Sequence, residues 1–195
     1  MPLTFVDLYG SAGLALLVGE DVNDSATSTA LQRVLNDALV KWTGGRFYWN
    51  KRSHDYTSSS SPALATVNTS TMNVPTTSTA AFDQPYRLGY RDTGRWQEVE
   101  LVEDDEWLLR SATRTSDAGE PRFARLIQTT SAVQLELNLP LSQQWIDRVG
   151  TMTLEYFIVP TRMTNSTEEP ACPDSLRPHL VTLAVGGAGC CGVLL

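Results

Sequence analysis

The sequence predicts an α+β chain: N- and C-terminal helices forming a small helical domain, with an antiparallel β sheet or barrel inserted between them. Three observations carry this prediction. Leu31, Val34, Leu35, Ala38, Leu39 and Trp42 recur at helical spacing behind a Thr29/Gln32 capping box. After Pro85 the apolar period shortens to that of a strand, with Tyr86, Leu88 and Tyr90 alternating. From Asp174 through Leu176, Leu180, Leu183 and Ala184 the helical spacing returns. The expected organisation is N-terminal helices over 1–55, a Ser/Thr-rich extended segment over 56–84, the β domain over 85–160, and a C-terminal helix with an apolar tail over 161–195.

Each element has its own signals. Thr4 is placed to cap a first helix through Phe5, Leu8, Ala12 and Leu16, weakened by Gly10 and Gly13 and stopped by Gly19. The second helix, from the Thr29 cap, ends at Gly44-Gly45 and runs into the aromatic group Phe47-Tyr48-Trp49, bordered by Arg46, Lys51 and Arg52. Core packing is the favoured reading of that group. Between Thr57 and Thr79 roughly half the residues are Ser or Thr, which reads as a long loop or a weakly paired edge segment. Asp92-Thr93-Gly94 is a hairpin turn leading into a strand from Trp96 through Val99 and Leu101. Glu103 to Glu106 before Trp107-Leu108-Leu109 suits a short helix with its acids at the positive end of the dipole. Strands then follow at Phe123 to Ile127, at Val133 to Leu139 before Pro140, and at Met152 to Ile158 before Pro160. The last helix is expected to fray where Gly186 and Gly187 begin.

Composition narrows the function. The chain has 195 residues, 42% of them hydrophobic, and a net charge of −7, which disfavours adhesion to nucleic acid or an anionic membrane. The three cysteines, Cys172, Cys190 and Cys191, are an odd number that includes an adjacent pair, a poor disulfide framework that fits a reducing compartment. No basic residue precedes Arg33, so no signal peptide is expected, and the cytoplasm of the producing cell is the expected place of synthesis. The stretch Leu180 to Leu195 is uncharged but too short to span a bilayer, and is read as a buried or interface segment.

No chemistry-bearing motif survives its context. Gly187, Gly189 and Gly192 spell G-x-G-x-x-G, but that pattern has to open a helix in a βαβ unit with an acid further on. His54 and His179 lack metal-ligand spacing, and the acids Glu103 to Glu106 read as a solvated face. The expectation is a non-enzyme with no catalytic residues, cofactor or metal. Trp42, Phe47, Tyr48 and Trp49 beside Arg46 would suit base stacking, but their junction position favours structure.

The order of the pieces resembles the head-to-tail adaptor (connector, tail tubular A-like) proteins of tailed bacteriophages. The resemblance is carried by the helix Leu31-Gln32-Arg33-Val34-Leu35-Asn36-Asp37-Ala38, the group Phe47-Tyr48-Trp49, and the segment Gly94-Arg95-Trp96-Gln97-Glu98-Val99. The turn Gly119-Glu120-Pro121-Arg122-Phe123, the strands Val133 to Pro140 and Leu154 to Pro160, and the closing helix Pro173 to Ala184 complete it. The resemblance implies a structural virion subunit of the tail or neck, assembled in the host bacterial cytoplasm. It implies a ring of twelve copies that docks on the portal, carries the nozzle and the tail fibres or spikes, and lets genomic DNA pass through its lumen without specific binding, with no membrane involved. Helices would pack between neighbours around the channel, with the β domain projecting outward. A cyclic ring needs two different complementary faces on each subunit. The interface candidates are the apolar residues Leu180, Leu183, Val185, Leu194 and Leu195, with Arg46, Trp49 and Arg52. The alternatives are a neck or head-completion protein of a long-tailed phage, or a glycan-binding or hydrolytic tail module using Trp96, Trp107 and Trp145 with Asp104 or Glu106.

Overall fold

The computed structural model describes residues 3–10, 13–19, 21, 23–43, 47–76, 82–111, 118–130, 132–159, 161–170 and 172–191, with 16, 42, 43 and 187–191 described by backbone alone. It is mixed α and β, and the chain divides into two compact units, residues 1–51 with 159–195, and residues 52–158.

In the first unit, glycine decides where helices break. The Asp7 carboxylate accepts from the Thr4 N–H at 2.8 Å and from its hydroxyl at 2.7 Å, fixing the start of α1 (Phe5–Tyr9). The single first helix predicted through Leu16 is instead two. Gly10 turns extended after α1, and the chain resumes as α2 (Leu14–Val18), ended by Gly19 at φ +74°. A Cβ on Gly13 would lie 2.1 Å from the Leu8 carbonyl oxygen, so the close approach at this break needs glycine.

Helix α3 (Ser25–Thr43) begins four residues before the predicted Thr29 cap. Asp24 is the cap, its carboxylate accepting the Thr27 N–H at 2.8 Å, while the Thr29 hydroxyl bonds back to the Ser25 carbonyl inside the helix. From Leu31 to Leu39 the apolar stripe behaves as predicted, and the Trp42 side chain lies outside what the structure describes. Leu31, Leu35, Ala38 and Leu39 are buried with Phe5, Leu8 and Leu14 and with Leu180, Val181 and Ala184 of α6 (Arg177–Cys191). Helix α6 continues past Gly186 and Gly187 instead of fraying there; a mid-helix glycine costs about 1 kcal/mol but does not by itself end a helix.

Polar contacts within this unit join segments far apart in sequence. The buried Asn36 amide bonds the Met163 backbone in both directions at 2.8 Å. The Phe5 N–H reaches the Glu168 carbonyl at 2.7 Å, and Arg177, nearly fully buried, donates to the Leu3 carbonyl at 2.9 Å while pairing with Glu169 and Asp174.

The second unit is a curled seven-stranded sheet. Its strands are β1 (Lys51–Tyr56), β2 (Thr71–Asn73), β3 (Phe82–Asp92), β4 (Arg95–Leu101), β5 (Phe123–Gln128), β6 (Val133–Leu137) and β7 (Met152–Ile158), in the order β1-β7-β3-β4-β5-β6-β2. Although β1 and β2 are its two edges, the Tyr56 hydroxyl donates to the Asn73 carbonyl at 3.0 Å, so the curl brings the edges together. The Ser/Thr-rich segment supplies both a loop and the edge strand β2, and sends Leu64, Ala65, Met72 and Val74 into the core.

Several boundaries differ from those read in the sequence. Strand β1 begins within 1–55, read as helical, and β3 begins inside the segment assigned to the loop. The sheet is not wholly antiparallel, because β4 and β5 run parallel through Glu100↔Phe123 and Leu101↔Ala124. The long connection between them, containing α4 (Asp104–Ser111), permits that crossover. The short α5 (Gln143–Arg148), capped by the Ser142 hydroxyl accepting the Trp145 N–H, was not read at all.

The β3–β4 hairpin turns through Thr93 (φ +48°) and Gly94 (φ +80°), a two-residue loop with both central residues left-handed. Leu88 and Tyr90 point into the core as predicted, but register irregularities on either side of Pro85 shift the alternation and leave Tyr86 exposed, edge-on to Phe157.

Candidate interaction surface

The residues singled out in the sequence separate into several environments. Leu180 is fully buried in the core of its own unit, so it is unavailable to a neighbour. Val185 packs half-buried against the same core, while Leu183 is 37% exposed. Leu194, Leu195 and Arg46 lie outside the described residues. Arg52 is exposed on β1. Trp49 stacks on Phe47 with centroids 4.4 Å apart and packs on the helical core, but Tyr48, assigned to the core with them, is 76% exposed. Three aromatic residues in a single turn cannot all face one side, and Tyr48 is the one left out.

Apolar residues reach the surface at separate places. In the helical unit Leu17 of α2 is 61% exposed, and Leu183 joins it in that class. In the β unit the pair Leu108-Leu109 of α4 is 65% and 78% exposed. The signal for this pair is present in the sequence. Trp107 is the buried residue of α4, and its two successors rotate away from it by about 100° each.

Charge around α4 is arranged in layers. Arg125 bonds Glu136 at 2.7 Å and Asp104 at 3.0 Å and lies 4.8 Å over the Trp107 ring. Arg110 bonds Glu100 at 2.6 Å, which holds the Glu100 carboxyl below the usual range, and it also bonds Glu106. Glu103 and Asp105 remain exposed with no side-chain partner among the described residues.

At the other end of β4, Arg148 sits 3.5 Å from both Asp92 and Glu120, and Glu120 accepts the Tyr90 hydroxyl. Burial, reinforced by Glu120, pushes the Tyr90 phenol from 10.0 up to about 12. Because the folded state holds the neutral form, this contribution to stability is complete below pH 10 and is lost as pH rises through about 12. Titration followed by tyrosinate absorbance should show Tyr90→Phe losing one late-titrating tyrosine, with Tyr56 and Tyr156, also pushed up by burial, remaining. An unchanged late phase would contradict the assignment.

The arrangement offers little to a sugar. Trp107 and Trp145 are buried, Arg87 lies 4.6 Å over the Trp96 ring, and Asp104 and Glu106 are held by arginines. Among the described residues no three His, Cys, Asp or Glu side chains are grouped as metal ligands. His54 Nε2 lies 2.9 Å from the Pro62 carbonyl, His179 is exposed on α6, and burial pushes the Cys172 thiol up. Gly187 and Gly189 lie within α6 and do not open a helix. No helix among the described residues is long and apolar enough to cross a membrane. Compared with protein-family models and with curated proteins, the chain has no match.

Proposed function

We propose that this chain is the repeating subunit of a head-to-tail adaptor ring of a tailed bacteriophage, a structural component of the virion rather than an enzyme. In this reading the helices from both ends of the chain form the helical domain, with the β region inserted between them. The ring, of twelve subunits, docks on the portal, receives the nozzle and the fibres or spikes, and continues the DNA channel. Assembly takes place in the host bacterial cytoplasm.

The observation that supports this most is that large apolar side chains stay exposed in both units, among them Leu17 and Leu183 in one and Leu108 and Leu109 in the other. A cyclic ring closes through heterologous contacts, which need two different faces on every subunit. The acidic balance is compatible with a lumen that does not hold phosphate.

The apolar end of α6 supplies the test. Leu180, Val181, Ala184 and Val185 serve the helical core, so removing everything after Val185 spares those contacts. Native mass measurement should find a closed oligomer for the full chain and a folded monomer for the truncated one. The same closed oligomer from the truncated chain would remove the C-terminal segment from the interface.

A further inference from the structure

We propose that copies of this chain join through the two ends of strand β4: the Leu108-Leu109 face of α4 on one copy docks on the Thr93-Gly94 hairpin tip, with Arg91 and Arg95, of the next. The inference rests on the ring reading and names one contact of the ring, beside the one that the C-terminal segment supplies.

Charge left over within the subunit is the first argument. At the α4 end, Arg110 and Arg125 are occupied by Glu100, Glu106, Asp104 and Glu136. Glu103 and Asp105 are left exposed, and among the described residues acids outnumber arginines there, even counting Arg122, whose carbonyl accepts the Glu100 N–H. At the hairpin tip two arginines are left over. Arg148 takes up Asp92 and Glu120, leaving Arg91 and Arg95 exposed without an ion pair among the described residues.

Geometry is the second argument. The tip precedes β4 and α4 follows it, so the seven-residue strand Arg95–Leu101 holds the two ends roughly 20 Å apart on one unit. That distance prevents the unpaired acids from meeting the unpaired arginines of the same copy, whereas a second copy can bring them together. The two leucines, which no charged group can satisfy, would lie against the aliphatic stems of Arg91 and Arg95, a surface arginine offers while its guanidinium reaches an acid. The contact is heterologous, one end against the other, and is the kind that propagates around a ring.

The test uses two double variants of the full chain, Arg91→Glu with Arg95→Glu, and Glu103→Arg with Asp105→Arg. All four sites are exposed, and circular dichroism should show both variants folded. In sedimentation velocity at low salt, the parent chain should self-associate and each variant alone at least tenfold more weakly. Mixing the two variants should restore association, because every junction then pairs opposite charges, and added salt should weaken the parent. If either variant alone associates like the parent, this contact is wrong while the ring reading stands. If the parent stays monomeric at every concentration, the self-assembling ring and this contact fail together.

Discussion

Gly89→Ala is expected to destabilise the β unit by about 3 kcal/mol, because the new methyl has nowhere to go. A Cβ at this position would lie 2.4 Å from Cζ2 of Trp96 and 2.5 Å from the Gln97 carbonyl oxygen. The carbonyl belongs to strand β4, so relief requires the backbone to move. The Trp96 ring is also confined, since Arg87 lies 4.6 Å over it and pairs with Glu155 at 3.1 Å. Gly89 therefore exists to let an indole lie flat on the outer face of the sheet. Urea unfolding followed by tryptophan fluorescence should show the lower midpoint, and a variant as stable as the parent would show that the ring does not cover this backbone. Trp96→Ala should partly rescue the Gly89→Ala loss, since it removes one of the two clashes.

Leu35→Ala should cost the helical unit a similar amount, roughly 3–4 kcal/mol, by leaving a cavity between α3 and α6. Leu35 is fully buried, and its neighbours in that core include Leu31, Leu39 and Leu180. Thermal unfolding should report a fall of roughly 12–30 °C for a unit of this size. Amide exchange should accelerate in α3 and α6 while the β3–β4 ladder keeps its protection. Equal loss of protection in both units would contradict the division of the chain at residues 51–52 and 158–159.

Much of the architecture was legible because it rests on local periodicity. The α3 stripe from Leu31 to Leu39, the Asp92-Thr93-Gly94 hairpin, the acid-capped α4 and the strands β5, β6 and β7 all announce themselves within a few residues. What escaped reading depends on long-range partners. Strand β1, Lys-Arg-Ser-His-Asp-Tyr, has no alternation, and becomes a strand because β7 lies beside it. The parallel pairing of β4 with β5 involves only the strand ends, which periodicity does not report. The start of α3 is hidden because Ser25 to Thr29 offers Ala26 as its one apolar residue, and the cap at Asp24 carries that turn.

The candidate interaction surface is less legible than the fold for a related reason. An apolar composition marks a segment as hidden without saying by what. Leu180, an interface candidate by composition, is covered by its own core, while Leu108 and Leu109, which in sequence look like ordinary helix residues, are open. Distinguishing the two needed the tertiary partner of each face.

Co-sedimentation of the purified chain with portal rings of the same virus, followed by the mass of the complex, tests the central claim most directly. The adaptor reading predicts one discrete added ring whose mass corresponds to twelve subunits. A folded monomer that leaves the portal unchanged at every ratio would contradict it.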